Sequence, residues 1–287
     1  MNEKTLSVFV FLATIALLSV PVIMLASGAG TDTFGANVTI TNSAPTIDTV
    51  TASSKAPTVP GGGTVISLNF NATDTNGVKN IVTASAFMNI SRADEVTRTG
   101  SECWSLSNSS DGQTQNISCN ITVLYYDEPG AWHICAYVTD GTANDSDCAT
   151  ADLTMGNLDE VNVIDTALTF TGLPGDTNVA ASDNPLVINN TGNQNYIKLD
   201  ITGYNLTGGD DTIGAAQFAI NVTSNVGGNG QALSHSAAVE ITSAALTKGE
   251  GTFSTEELYF YVDIPSGIAA VDYNTGGTPW MIDPSVS

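Results

Sequence analysis

Basic side chains are scarce in this sequence. Its 287 residues hold seven Lys and Arg against 29 Asp and Glu, a net charge of −22. Nucleic-acid binding runs on Lys and Arg contacts with phosphate, so this balance excludes a nucleic-acid partner. It also excludes docking on an anionic lipid surface. Histidine is almost missing: there are only His133 and His235. Neither lies in an H-E-x-x-H pattern, and no phosphate-binding loop or dinucleotide fingerprint occurs. Ser234-His235-Ser236 lacks the glycine elbow of an activated nucleophile. Asp94-Glu95 and Glu256-Glu257 are adjacent carboxylates, which on a strand point to opposite faces. The chain therefore reads as one without catalytic residues. No long apolar run occurs after residue 30, so membrane contact is confined to the first segment. Cysteine stops at Cys148.

That first segment, 1–30, has one basic residue, Lys4, before a nearly unbroken apolar run from Leu6 to Leu25. Pro21 interrupts the run, and Ala26-Ser27-Gly28-Ala29 offers small residues for cleavage. It is either a signal peptide or an uncleaved N-terminal membrane-anchor helix. Both send the remainder out of the cell, so the expected localisation is extracellular, at the cell surface.

Beyond this segment the chain is patterned as strand. Trp132, Ile134, Ala136 and Val138 alternate with Ala131, His133, Cys135 and Tyr137, and Asp140-Gly141 supplies a tight turn. Residues 64–73 set Ile66, Leu68, Phe70 and Ala72 against Val65, Ser67 and Asn69. Strands are also expected at 46–52 and across the apolar stretch 78–91. After Gly156 to Glu160, residues 161–170, 185–190, 196–202, 237–246 and 257–264 read as strands, with Phe218, Ile220 and Val222 on one face of another. In 196–202 the expected inner face is Ile197, Leu199 and Ile201; Trp280 and Met281 are expected to close a last strand. The expected fold is all-β: two consecutive immunoglobulin-like β-sandwich domains, 45–155 and 156–287, after the hydrophobic helix. Residues 31–44 form an extended strand and linker.

Domain 45–155 resembles the PKD and related immunoglobulin-like modules of archaeal and bacterial surface proteins. The motifs are Asn42-Ser43-Ala44-Pro45, the run Leu68 to Asp74, and Gly130-x-Trp132-x-Ile134-x-Ala136-x-Val138-x-Asp140. The run Leu168 to Leu206, with Gly172 to Thr177 and Asn189 to Asn193, resembles β-sandwich modules repeated in archaeal envelope proteins. The resemblance implies a fold and a place in an envelope; a fold alone assigns no activity.

All four cysteines lie in the first domain. Cys103 and Cys119 flank Asp111-Gly112, and Cys135 and Cys148 flank Asp140-Gly141. Four cysteines allow three connectivities. The turn positions predict Cys103–Cys119 and Cys135–Cys148, oxidised in an exported chain. Their spacing lacks the C-x₂₋₄-C knuckle of a zinc site.

Ten Asn-x-Ser/Thr sequons occur, at Asn37, Asn71, Asn89, Asn108, Asn116, Asn120, Asn144, Asn189, Asn205 and Asn221. Roughly five would arise by chance in such a composition, so part of the set is expected to carry glycan, with Asn108, Asn116 and Asn144 on hairpins foremost. No resident cofactor is expected. The one metal with candidate ligands is Ca²⁺, from Asp140, Asn144, Asp145 and Asp147 at one hairpin end, with Asp74 and Asn76 at another turn and Asp210-Asp211 beyond; the EF-hand spacing is absent.

Residues 31–42 (TDTFGANVTITN) place Val38 and Ile40 on one face of a short strand. It can pair as an edge of its own domain, or complete the sheet of a neighbouring subunit as a donor strand. The functional expectation is a glycosylated surface protein of structural or adhesive role. Its partners are other envelope or filament subunits, itself included. A filament subunit built by strand donation and a carbohydrate-binding accessory protein using Trp104, Tyr137 or Tyr196 are the alternatives.

Overall fold

The computed structural model describes residues 34–285 apart from 52, 166 and 225–229. The expected leader, 1–30, and residues 31–33 of the expected donor strand lie outside the described residues. Among the described residues no helix is long and apolar enough to cross a membrane. The described residues are all-β, with three short 3-10 turns. Residues 42–287 form one compact unit, and 34–41 belong to a separate one.

In the first half of the compact unit, the described residues form ten strands in two sheets. They are β1 (Thr46–Val50), β2 (Ser54–Lys55), β3 (Gly63–Thr73), β4 (Phe87–Ser91), β5 (Arg98–Gly100), β6 (Glu102–Asn108), β7 (Thr114–Leu124), β8 (Gly130–Thr139), β9 (Asn144–Cys148) and β10 (Leu153–Met155). One sheet has the order β1-β3-β7-β6. The other has the order β2-β10-β8-β4-β5, with β9 also on β8. Their inner faces meet: Leu68, Phe70 and Ala72 of β3, Ile117 and Ile121 of β7, and Trp132, Ile134 and Val138 of β8 all belong to one buried cluster. This is the arrangement of a β-sandwich. The alternation in β8 is complete, because every second side chain points into that core. The stretch 78–91 differs from the expectation. Gly77, at φ 103°, turns the chain, two 3-10 turns at Val78–Asn80 and Thr83–Ser85 come next, and the strand begins only at Phe87.

The second half has shorter elements: β11 (Val161–Val163), β12 (Val179–Ala180), β13 (Leu186–Asn190), β14 (Lys198–Thr202), β15 (Leu206–Gly208), β16 (Asp211–Ile213), β17 (Phe218–Asn221), β18 (Gln231–Ala232), β19 (Val239–Ile241), β20 (Thr255–Val262) and β21 (Met281–Ser285). A six-stranded sheet runs β11-β13-β20-β17-β18, with β12 on β20. A three-stranded sheet runs β19-β14-β21, and β15-β16 stand as a hairpin. Leu186, Ile188, Phe218, Ile220, Leu258 and Phe260 from the first sheet meet Leu199, Ile201 and Ile241 from the second. The expected strands at 161–170 and 237–246 are each three residues long. The expected face of 196–202 is corrected at its start. Tyr196 is bridged to Leu246 and buried, and Ile197 is 60% exposed, because the regular ladder begins only at Lys198.

The two halves abut by their ends. β3, β7 and β8 run between a junction end (Gly63, Leu124, Gly130) and an outer end (Thr73, Thr114, Thr139). Across the junction, Gly61 N donates to Thr191 O at 2.8 Å, and Asn193 Nδ2 donates to Asp127 O and Gly156 O, both at 3.0 Å.

Residues 34–45 contain no strand, so the expected edge strand of the chain's own domain does not form there. Phe34, Val38 and Ile40 are 93%, 82% and 83% exposed.

Candidate interaction surfaces

The outer end of the first half is held by carboxylates bonded to backbone. Asp140 Oδ1 accepts Thr142 N and Ala143 N at 2.7 and 2.6 Å, and its Oδ2 accepts Asn42 Nδ2 at 2.6 Å. These bonds, Ala143 first and then Asn42, hold the Asp140 carboxyl below its ordinary value. Asp145 Oδ2 accepts Ile47 N at 2.7 Å, Asp74 Oδ1 accepts Asn76 N at 2.7 Å, and Asn76 Oδ1 accepts Ser43 N at 2.6 Å. The side chains considered for calcium thus tie down residues 42–47; Asn144 and Asp147 are exposed. Asp211 Oδ2 likewise accepts Ala269 N. Among the described residues, the group close enough to share a metal is His133, Cys135 and Cys148. Its two sulfurs are bonded to each other, so they are not thiolate ligands.

Cys103 is joined to Cys119, and Cys135 to Cys148. Each pair stands directly across a ladder, β6 on β7 and β8 on β9, the register that brings two Cβ atoms together. The disulfides fit an oxidising, extracellular compartment.

The histidines lie in different halves. His133 Nδ1 is 3.3 Å from Asp152 Oδ1 on an exposed face, and His235 Nδ1 accepts Asn205 N at 3.1 Å. Glu256, pushed up by burial, accepts Ala245 N, whereas Glu257 accepts the Tyr259 hydroxyl. The two carboxylates point apart.

The sequons separate by exposure. Asn37, Asn108 and Asn144 are exposed. Asn89 and Asn221 are half-buried. Asn116 Nδ2 donates to Asn71 Oδ1 at 2.7 Å, Asn71 Nδ2 donates to Thr49, Asn120 Oδ1 accepts Ser67 Oγ, and Asn205 Oδ1 accepts Ala215 N. Asn189 is buried at the end of β13, 8% exposed. Of the aromatics considered for sugar stacking, Trp104 is exposed and Tyr137 stacks on Phe87 at 4.8 Å. Tyr196 is corrected: it is 2% exposed, and burial, then Asp159, pushes its hydroxyl up to about 12.

Two features have no counterpart in the sequence pattern. The first is the junction. Lys248 Nζ lies 2.6 Å from Glu95 Oε1 and 3.0 Å from Glu128 Oε2, and donates to Tyr126 O. Burial opposes the lysine's charge, but the two carboxylates outweigh it and raise its pKa. Asp127, fully buried, receives Arg98 Nε at 3.0 and 3.1 Å and Leu124 N at 2.8 Å. Gly192 is required here, since a Cβ would sit 2.0 Å from Leu158 O. Tyr125 meets Phe253 at 5.3 Å between ring centres.

The second is an apolar cleft of about 520 Å³ at the outer end of the second half. Val163, Leu168, Phe170, Phe218, Phe260 and Trp280 are among its walls. Trp280 is locked by its indole N–H donating to Tyr204 O at 3.0 Å and by an edge contact with Phe218 at 4.9 Å. Val163 of β11 and Ile282 of β21 are also in its walls, and among the described residues each of these strands is paired on one side only. Compared with protein-family models and with curated proteins, the chain matches none.

Proposed function

We propose that this is an exported, non-catalytic structural or adhesive component of a cell surface, built from two consecutive immunoglobulin-like modules of the PKD kind. The observation that carries the reading is the junction. Asn193, Lys248 and Gly61 bond directly across the boundary between the two halves, a continuity that suits a structural component. The two disulfides support an oxidising environment. The acidic, nearly Lys-free surface supports solubility outside the cell. Asn37, Asn108 and Asn144 are sequons whose side chains stand exposed.

Intact mass of the native protein, with its cell fraction recorded, tests this. The expected result is a surface-exposed chain lacking four thiol hydrogens and carrying mass increments that fall on N108Q or N144Q substitution. A cytosolic chain with four free thiols overturns the proposal.

A further inference from the structure

We infer that residues 34–41 of one copy dock as an added β-strand in the apolar cleft of a second copy, joining copies head to tail. The inference deepens the structural role proposed above by naming the partner as this same chain.

The first observation is the segment. Phe34, Ala36, Val38 and Ile40 occupy alternate positions, so an extended backbone puts all four on one face. Three large apolar side chains stand in solvent there, and no strand forms. The second is the cleft. Its floor is Phe218, Phe260 and Trp280, and it is flanked by unpaired edges of β11 and β21 that can accept a ladder from an extended peptide. The third is charge. Copies with a net charge of −22 repel over most of their surface. Residues 34–42 carry no charged side chain, and the cleft walls carry one, Asp165. Both patches are apolar and nearly neutral, so copies can meet on them without the repulsion that holds elsewhere.

Reach decides between the chain's own cleft and another's. Asn42 and Ser43 are bonded to Asp140 and Asn76 at the outer end of the first half. The cleft lies beyond the junction, at the opposite outer end, where Leu186, Phe260 and Trp280 stand away from Thr191 and Lys248. From Thr73 to Gly63 alone, β3 spans about 33 Å. Eight extended residues span at most about 29 Å. The segment therefore fits a cleft that it cannot reach in its own chain. A plug at one end and a socket at the other make a heterologous contact, which propagates as a filament unless the rotation closes a ring. An eight-residue strand seated by Phe34, Val38 and Ile40 covers on the order of the 800 Å² per partner of a standard interface.

The test uses the full chain, expressed for export and purified oxidised. Two variants divide the contact: Val38→Asp with Ile40→Asp disables the plug, and Ala167→Trp fills the socket at an exposed wall position. The parent is expected to form a concentration-dependent ladder of oligomers by mass photometry. Each variant alone should be monomeric, with association weakened at least about a hundredfold. Mixed together they should give a one-to-one dimer, because one intact plug and one intact socket remain, and that dimer also proves both variants folded. A monomeric parent, variants that polymerise like the parent, or a mixture that stays monomeric overturns the inference. None of these outcomes depends on where the cell puts the protein, so failure here and failure of the surface reading are separate results.

Discussion

The two halves solve the same packing problem to different degrees. In the first, β3 and β7 pair over eleven residues each, and the inner faces of both sheets close on Trp132. Both disulfides sit there, each across a ladder. In the second, β14 and β21 pair over five residues, the sheets break into pieces of six, three and two strands, and the space beside Trp280 stays open. Edge strands are hazards unless covered. The first half closes its core with side chains of its own; the second leaves room for a strand it does not supply. A sealed module and an open one, joined by polar contacts, divide stability and recognition between them.

The largest effect should come from the two tryptophans. Trp132 is fully buried and its indole N–H donates to Glu128 O at 2.8 Å. Trp132→Ala is expected to cost about 3–5 kcal/mol. Trp280 already borders open space, so Trp280→Ala should cost on the order of 1–2 kcal/mol while abolishing head-to-tail association. Urea unfolding gives the totals, and hydrogen exchange of β7 and β20 amides assigns each loss to a half. Equal costs would mean the second half is as tightly closed as the first.

Next in size are the disulfides. Cys135→Ser with Cys148→Ser releases a loop closed over a separation of 13 residues, a loss of about 3 kcal/mol in the chain-entropy model. The expected result is lost exchange protection in β8 and β9 with β20 unchanged. Loss in both halves alike would show that the junction makes one cooperative unit, and the division drawn above would fail.

The sealed half was the more legible of the two in the sequence. The alternation Trp132, Ile134, Ala136, Val138 has a period of two over a long ladder, so local pattern and final burial coincide. The cysteines fell into place with it, because a hairpin register converts distance from the turn into a cross-strand partner. Short elements gave way. Residues 161–170 look apolar enough for one strand, yet the strand ends at Val163, and Asp165, Ala167, Leu168 and Phe170 line the cleft. Tyr196 sits two residues ahead of its ladder and turns inward to Leu246, against its parity. The junction was invisible because Lys248 and Glu95 are 153 residues apart, and two surface-type charges give no local sign that they will meet. Phe34 and Ala36 continue the spacing of Val38 and Ile40 and could have been read with them; the socket could not, since it exists only when Leu168 and Phe170 come to face Trp280.

The smallest effects concern pH, and they fall on both the acid and the alkaline limb. In the second, Tyr196 is pushed from an ordinary 10.0 up to about 12, chiefly by burial, and Lys248 is raised by Glu95 and Glu128 against the opposing effect of burial. Above pH 10 the unfolded chain loses these protons while the folded chain keeps them, so stability falls as pH rises toward 12. In the first half, Asp111 and Asp140 are lowered from 3.8, Asp111 by Ser109 and Asp140 by Ala143 and Asn42. Their contribution is present above pH 3.8 and is lost as pH falls through the lowered values. Glu256 in the second half is raised by burial, so acidification toward its ordinary 4.5 favours the folded form there. Exchange protection monitored from pH 3 to pH 12 should therefore weaken first in β8 and β9 on the acid side and first in β14 and β20 on the alkaline side. Tyr196→Phe should reduce the alkaline loss and leave the acid side as it was, because phenylalanine has no proton to lose there. An alkaline limb unchanged by that substitution would place the loss on the other raised groups, Lys248 at the junction among them.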